Sequence, residues 1–356
     1  MKKRLLPALA LFLYGQLLTA QVVYTETFDN YTIGNLGTDP SGKVPGQGGW
    51  YTEMFQTVNN NYATITAETN KGKVLTLASA ATAPYKCNLF VKRTDMATFI
   101  DQRSAGNNVL KFEIDYYTGA QHGKGSNSAH HRFGLYYNNP ALLNDPLVQF
   151  SFQSTTGDVG AYCQDQSKII YLDNNPNNLP NHHPTMPFNT WVTFIVYLDY
   201  NNKKAYFETP YFNAVTIADF LKSSSSTNLI EDFKPLVLQF NFSSDVNTTQ
   251  VFNKYDNIKI TALKSVPPNV VSSPTFLSKK FNLYPNPATE IVNITNNEQM
   301  KVKEVEIYDT AGKLIDTQTF NDKTEIQLNV SALNSGTYLL HLKTNEGIAV
   351  KKLVKN

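Results

Sequence analysis

The sequence is poor in cysteine, tryptophan and charge. Its 356 residues include only two Cys and two Trp, and 17% are Asp, Glu, Lys or Arg. A lone cysteine pair with no histidine beside it is not the signature of a metal site, and neither cysteine has the surroundings of an activated nucleophile. Hydrophobic residues still make up 41% of the chain, which excludes wholesale disorder and allows a packed core.

Long apolar runs are also scarce. No segment after residue 20 has 18 consecutive apolar residues, so the sequence predicts no transmembrane span. Residues 1–20 combine a basic start, a short apolar stretch and a small residue, Ala20, before Gln21, which predicts a secretory signal peptide. Without the three basic residues of that segment, 28 basic residues face 29 acidic ones, so no basic field remains to attract nucleic acid or anionic lipid.

The two cysteines, Cys87 and Cys163, are candidates for a disulfide, because a signal peptide implies an oxidising compartment. Two buried free thiols are the alternative, and the sequence does not decide between them.

Strand patterns dominate residues 21–262. Apolar and polar residues alternate strictly in 109–117, and the same period of two recurs in 148–153, 191–200 and 236–242. Turns rich in Asn, Gly and Pro separate these segments, and only 216–221 looks helical. Many half-apolar strands without βαβ alternation predict an all-β fold, an antiparallel β-sandwich or jelly roll.

The composition changes after this unit. Residues 263–280 carry three prolines and four serines without clear alternation, which predicts a linker. A second set of alternating strands follows in 281–356, and its size is that of a small immunoglobulin-like β-sandwich. The predicted organisation is therefore a signal peptide, a sandwich, a linker and a smaller sandwich.

The last unit resembles a known family. The blocks FNLYPNPATEIVNI (281–294), VEIYDTAGKLI (305–315) and NSGTYLLHLKTNEGIAVKKLVKN (334–356) are similar to the type A C-terminal sorting domain of the type IX secretion system of Bacteroidetes. The resemblance implies that this unit is a targeting signal, which the outer-membrane translocon recognises and which is usually cleaved off. It places the protein outside the cell or on the outer-membrane surface, after transit through the periplasm.

The larger unit resembles another group of folds. ETFDNYTIGNL (25–35), GGWYT (48–52) and YDNIKITAL (255–263) are similar to the first and last strands of concanavalin A-like and carbohydrate-binding-module jelly rolls. The resemblance also implies a structural Ca²⁺ that joins the chain ends, with Glu26 and Asp256 at the matching positions and backbone carbonyls completing the shell.

The polar sides of the predicted strands suggest a ligand-binding face. Amides and aromatic rings suit sugars, because rings stack on pyranose faces and amides pair with hydroxyl groups. An ordinary solvated sheet face is the alternative. The candidate ligand residues are Trp191, Tyr197, Gln149, Gln153 and Gln239.

Two pairs of residues are candidates for catalysis. Glu113 and Asp115 lie two apart on one strand, as a glycosidase acid and nucleophile would, although the second Glu of the laminarinase-type signature is missing. Arg132 with a neighbouring histidine such as His131 would suit a polysaccharide lyase that neutralises a uronate and removes its C5 proton.

The sequence therefore predicts a secreted or cell-surface carbohydrate-binding protein exported by the type IX system, with a glycan and the translocon as partners. A polysaccharide-degrading enzyme, a lyase before a hydrolase, and a surface adhesin are the alternatives.

Overall fold

The computed structural model describes residues 20–55, 60–79, 87–122, 129–137, 146–164, 169–173, 183–220, 229–244, 250–271, 277–278, 280–296, 300–310, 312–345 and 347–356. Apart from Ala20, the predicted signal peptide lies outside these residues.

Strands account for most of the larger unit. In chain order they are β1 Gln21–Glu26, β2 Gly34–Asn35, β3 Tyr51–Phe55, β4 Ala63–Glu68, β5 Gly72–Ala78, β6 Cys87–Arg93, β7 Val109–Tyr117, β8 Ala129–Tyr136, β9 Pro146–Gln153, β10 Val159–Tyr162, β11 Trp191–Asp199, β12 Lys204–Thr209, β13 Ala214–Asp219, β14 Val237–Ser244 and β15 Phe252–Leu263. The α-helices in the described part of the chain are single short turns, α1 Met96–Ile100, α2 Leu229–Asp232 and α3 Pro268–Val271.

These strands form two antiparallel sheets. The nine-stranded sheet runs in the order β13-β12-β11-β7-β15-β5-β4-β2, with β1 paired to β15. The six-stranded sheet runs β10-β9-β8-β14-β6-β3. Strands that neighbour each other in space are far apart in sequence, as in β7 beside β15 and β8 beside β14, which is the connectivity of a jelly roll rather than of a meander.

The core lies between the two sheets, where the period-two alternation places it. Phe112, Ile114 and Tyr116 of β7 pack with Phe194 of β11 and with Phe150 of the facing sheet, and all of them are buried. Trp50 is fully buried as well and stacks on Phe240 at 5.5 Å between ring centroids. The predicted antiparallel sandwich is confirmed.

The helical expectation for 216–221 is wrong. Residues 216–219 belong to β13, which pairs with β12 in the register Thr216 opposite Phe207. The alternation of Val215 and Ile217, both packed on the outer side of the sheet, outweighs the weak helical pattern. Leu221 lies outside the described residues.

The start of the predicted linker is also folded. A third apolar cluster lies on the outer side of the nine-stranded sheet, where Val266 and Val270 cover Ile195, Tyr197 and Tyr206. Residues 263–271 therefore complete the larger unit. Free-linker behaviour is excluded for this part, while 272–276 and 279 lie outside the described residues.

The smaller unit is a seven-stranded sandwich with its own core. Its strands are β16 Phe281–Tyr284, β17 Ile291–Asn296, β18 Val302–Asp309, β19 Leu314–Lys323, β20 Ile326–Asn329, β21 Gly336–Thr344 and β22 Gly347–Lys355. They form the sheets β16-β17-β20 and β19-β18-β21-β22, packed around residues such as Ile294, Ile307 and Leu340. The predicted immunoglobulin-like sandwich is confirmed.

None of the helices described in either unit has the length and apolar character needed to cross a membrane.

Candidate functional site

The predicted ligand residues lie on opposite sides of the sandwich. Gln149, Gln153 and Gln239 are on the outer surface of the six-stranded sheet, whereas Trp191 and Tyr197 are on the outer surface of the nine-stranded sheet. The sequence leaves open whether the strands that carry these five residues share one sheet, and the structure shows that they do not. Alternation identifies which residues leave the core, but only the pairing of strands decides which sheet they belong to.

The six-stranded sheet carries the larger group of uncharged polar residues. Its central strands β9, β8 and β14 bring these residues into register on the outer surface, which we call the polar face. Three cross-strand rows make up this face: Gln149, Gly134 and Gln239; Ser151, Arg132 and Asn241; and Gln153, His130 and Ser243.

The first row is held in place by hydrogen bonding and close packing. The Tyr136 hydroxyl donates to Oε1 of Gln149 at 2.8 Å, and Gln149 and Gln239 are only 3% and 4% exposed. A β-carbon at Gly134 would come within 2.1 Å of the Val148 carbonyl oxygen, so only glycine fits between the two amides. The amides are therefore fixed beside a position without a side chain.

The second and third rows leave polar atoms unmatched. Arg132 Nε and Gln153 Oε1 are shielded from solvent, and neither forms a hydrogen bond within the described structure. Gln153 does donate from Nε2 to Thr155 Oγ1 at 2.8 Å. Buried polar groups are normally hydrogen-bonded, so this surface has unused capacity for a ligand.

His130 and Arg132 lie on the same face, but His131 does not. His131 is fully buried in the core, where its ring stacks on Phe242. Burial, and then the neighbouring His130 and His122, hold the pKa of His131 well below its ordinary value. The pairing of His131 with Arg132 as a lyase site is therefore wrong, because successive residues of a strand point to opposite faces.

His130 is the histidine that accompanies Arg132. Burial first, and the Arg132 charge second, lower its pKa, so it is neutral at neutral pH.

Aromatic residues flank the polar face on β6 and β3. Phe90 pairs in register with Asn241, and the Phe55 ring meets Phe90 edge-on at 5.8 Å between centroids. Phe55 is exposed. The sequence analysis missed both residues, although Asn88, Phe90 and Lys92 alternate with buried Leu89 and Val91 in the same period-two pattern.

Glu113 and Asp115 lie on the opposite side, on the outer surface of the nine-stranded sheet, and both are paired with lysines. Lys111 Nζ is 2.6 Å from Glu113 Oε1, and Lys71 Nζ is 2.6 Å from Asp115 Oδ2. Burial raises the pKa of Asp115, but hydrogen bonds from Asn257, Lys71 and Thr193 outweigh it and hold that pKa below its usual value. A carboxyl group that stays ionised cannot serve as a general acid near neutral pH.

Trp191 and Tyr197 have structural neighbours of their own. Lys71 Nζ lies over the Trp191 ring at 4.7 Å, and the Tyr117 ring is 5.5 Å away. Tyr197 is 3% exposed because Val266 and Val270 pack in the same outer cluster, and its hydroxyl donates to Glu208 at 3.0 Å. Tyr197 as an exposed sugar platform is therefore wrong.

The two predicted calcium ligands are on neighbouring strands but have separate surroundings. The Glu26 carboxylate accepts hydrogen bonds from the Phe28 amide, the Tyr31 hydroxyl and Trp50 Nε1. Asp256 is paired in register with Asp115 and has Lys71 Nζ at 3.9 Å. These placements disfavour one ion bound by both carboxylates, because three hydrogen bonds already engage Glu26 and a lysine lies beside Asp256.

Groups of three or more His, Cys, Asp or Glu arranged to bind a metal are absent from the described part of the chain. The calcium ion stays a prediction from the resemblance.

The predicted disulfide is not formed. Cys163 is a buried free thiol, and burial raises its pKa. It follows β10, and three strands separate β10 from β6, which carries Cys87. At about 4.8 Å between neighbouring strands the separation is far beyond the roughly 7 Å limit between Cα atoms of a disulfide. The side chain of Cys87 lies outside the described residues.

In the smaller unit, the proline-rich block is tied to the last strand. Asn286 Nδ2 donates to the Lys352 carbonyl oxygen at 2.9 Å, and the Val354 amide donates to Asn286 Oδ1 at 2.8 Å. Ala288 forms a parallel bridge with Lys355. The first and last of the three sequence blocks of this unit are therefore joined by the Asn286 side chain and by the backbone of Ala288.

Comparison of the whole chain with solved structures finds similar folds at low identity. A sialidase structure is 10% identical with a TM-score of 0.35, and the match covers 62% of this chain but only 17% of that one. An endo-1,3-beta-glucanase from Streptomyces sioyaensis is 12% identical with a TM-score of 0.41, covering 69% of this chain and 97% of the other. Winged bean acidic lectin is 12% identical with a TM-score of 0.35, covering 69% and 100%.

No curated protein sequence matches the chain. The family model described as "Secretion system C-terminal sorting domain" matches residues 282–356, which form the seven-stranded unit that contains Asn286. Residues 282–356 are therefore a sorting domain of the type IX secretion system, which exports this protein to the cell surface or into the medium.

Proposed function

We propose that the exported protein binds carbohydrate on the polar face of its six-stranded sheet. The observation that carries the proposal is the row in which Gln149 and Gln239 flank Gly134, with further amide and hydroxyl side chains in the rows beside it. The similarity to lectin, sialidase and glucanase structures concerns the fold alone.

Amides suit this task because each one offers both a donor and an acceptor to neighbouring sugar hydroxyls. The Tyr136 hydroxyl already orients Gln149, and close packing restricts Gln239, so little side-chain freedom is lost when a ligand arrives. Ordered amides of this kind favour specificity for the orientation of hydroxyl groups.

The aromatic residues beside the polar face provide the apolar contact that sugars also need. Phe90 and the exposed Phe55 lie beside the polar rows, where an aromatic ring can pack against the C–H face of a pyranose. The first polar row is nearly enclosed, whereas His130, Arg132 and Gln153 are half-buried and Phe55 is exposed, so a saccharide would approach the face from the second and third rows and from the Phe55 side.

The test uses the purified full-length protein on a glycan array, followed by calorimetry with the best ligand. Gln239→Ala should weaken binding about tenfold, which corresponds to about 1.4 kcal/mol. Trp191→Ala is the matched control, because it changes a half-exposed side chain on the opposite side of the sandwich. Trp191→Ala should keep a melting transition near that of the wild type, whereas Gln239→Ala removes a buried side chain and should melt lower but remain folded at the temperature of the binding assay.

Two results would contradict the proposal. One is the absence of glycan binding across a broad array. The other is binding that Trp191→Ala abolishes and Gln239→Ala leaves intact, which would move the site to the nine-stranded sheet. Assays for reducing ends and unsaturated products on the same glycans separate a binding protein from an enzyme.

A further inference from the structure

The polar face contains a guanidinium group, that of Arg132, for which the described residues supply no anionic partner. Arg132 lies at its centre, between Ser151 and Asn241, and its Nε is buried without a hydrogen bond inside the described regions. Arg132 as a whole is half-buried. An arginine partly removed from water normally has a paired acid, because desolvation of its charge is costly.

The outer surface of the nine-stranded sheet shows the usual arrangement. There Lys71 pairs with Asp115, Lys111 with Glu113, and Lys254 with Glu68. Each of these partly buried lysines has a carboxylate within a salt-bridge distance. Arg132 differs from them, since no ion pair joins it to any other residue in the described segments.

The neighbours of Arg132 on the polar face do not supply the missing charge. Glu53 at the β3 edge is occupied by Lys92. The residues in register with Arg132, Ser151 and Asn241, are uncharged, and His130 on the same strand cannot carry a negative charge. Burial first, and the Arg132 charge second, lower the pKa of His130, so this histidine is neutral and adds no negative charge beside Arg132.

We infer that the glycan bound on the polar face is anionic and that its carboxylate or sulfate group pairs with Arg132. This inference rests on the proposed function and specifies the class of ligand. A guanidinium group offers parallel N–H donors that match the two oxygens of either anion, and the flanking amides then bind hydroxyls of the same saccharide.

The experiment measures affinity of the full-length protein for three probes: an oligogalacturonate, a sulfated galactan oligosaccharide and a neutral β-glucan oligosaccharide. The wild-type protein should prefer at least one anionic probe over the neutral one by tenfold or more. Arg132→Gln should remove that preference. Lys259→Gln, which removes a cation from the opposite surface beside Glu113, should leave it within twofold. The preferred anionic probe shows whether the group is a carboxylate or a sulfate.

Salt provides a second readout that does not depend on a variant that folds poorly. Affinity of the wild-type protein for the preferred probe should fall as NaCl is raised, because an ion pair is screened. Arg132→Lys should keep part of the salt dependence and lose affinity, since a point charge replaces the planar fork.

The outcomes separate the two proposals. Equal binding of neutral and anionic probes, with Arg132→Gln unchanged and Gln239→Ala weakened, would overturn the anionic ligand and keep the carbohydrate site. Absence of binding to every probe and across the array, or binding indifferent to Gln239→Ala, would overturn the site and the inference with it.

Discussion

His131 lies flat against Phe242 in the core, with 4.0 Å between ring centroids and 17° between ring planes. Neither ring nitrogen of His131 has a hydrogen bond within the described structure, and the residue is fully buried. The neutral imidazole ring of His131 therefore packs in the core as an apolar aromatic side chain such as phenylalanine would.

This contact predicts acid sensitivity. Because the folded pKa of His131 is depressed, only the unfolded chain takes up the proton as pH falls below about 6.5, and folding stability declines from that pH downward. His131→Phe should remove this contribution, so the difference in unfolding free energy between variant and wild type should grow by up to about 1.4 kcal/mol per pH unit.

Chemical denaturation between pH 7 and 5 measures this difference. His341→Phe is the control, because it changes a half-exposed histidine in the sorting domain. Parallel pH profiles for wild type and His131→Phe would contradict the prediction.

For Asp256 we predict the opposite effect: its contribution to folding stability falls as the pH rises. Burial, only partly offset by the Asn257 amide and Lys71, raises its pKa from 3.8 to about 6, and its Oδ1 has no hydrogen bond among the described residues. Its contribution to stability is complete while both states are protonated, below about pH 4, and is lost as pH rises through 6. Asp256→Asn should therefore gain stability relative to wild type across this window, by at most about 3 kcal/mol.

Urea unfolding at pH 4 and pH 7 tests this prediction. Asp219→Asn, at an exposed ion pair with Lys204, is the matched control and should show a much smaller change. An unchanged difference between wild type and Asp256→Asn at the two pH values would be inconsistent with a buried, strained carboxylate.

Binding of Ca²⁺ by Glu26 and Asp256 can be tested with a chelator. Because three hydrogen bonds already engage the Glu26 carboxylate and Lys71 lies beside Asp256, we expect EDTA to shift the melting temperature of wild type and Asp256→Asn equally. A chelator effect that is present in calcium-loaded wild type and lost in both Asp256→Asn and Glu26→Gln would instead support the shared ion that the resemblance implies.

Because residues 263–271 are folded against the nine-stranded sheet, we predict that the larger unit ends at residue 271 and not at 262. A chain of residues 21–262 lacks Val266 and Val270, which cover Ile195, Tyr197 and Tyr206. A chain of residues 21–271 should be more stable by about 2 kcal/mol or more, since burial of a valine side chain contributes roughly 1.5 kcal/mol or more. The control is the longer chain with both valines changed to Ser, which should melt like the shorter one. Equal stability of 21–262 and 21–271 would refute this boundary.

The sorting domain predicts a localisation phenotype. Deletion of residues 281–356 should trap the protein in the periplasm, because the targeting signal that the translocon recognises is removed. Asn286→Ala should weaken the domain by about 0.5–1.5 kcal/mol, since it removes two solvent-exposed hydrogen bonds to the backbone of Lys352 and Val354. Fractionation and surface proteolysis report the first effect, and thermal unfolding the second. Normal surface delivery of the deleted chain would contradict the assignment.

Local patterning of the sequence determined much of the fold. The alternation in 109–117, 148–153, 191–200 and 236–242 correctly separates core residues such as Phe112, Phe150 and Phe194 from polar ones, because the side-chain period of a strand is a property of the backbone alone. The sorting domain could also be predicted from the sequence, since each of its three blocks is an uninterrupted segment, and the family match covers 282–356.

The tertiary structure decided which polar residues meet. Gln149 and Gln239 come together with Arg132 because β9, β8 and β14 are neighbours in one sheet, while Trp191 is carried to the other sheet by β11. The same pairing separates Cys87 from Cys163, and the packing of Val270 turns Tyr197 from a surface ring into a buried one. These relationships depend on hydrogen bonds and apolar contacts between segments far apart in the chain, and a periodic pattern within one strand carries no information about its partner.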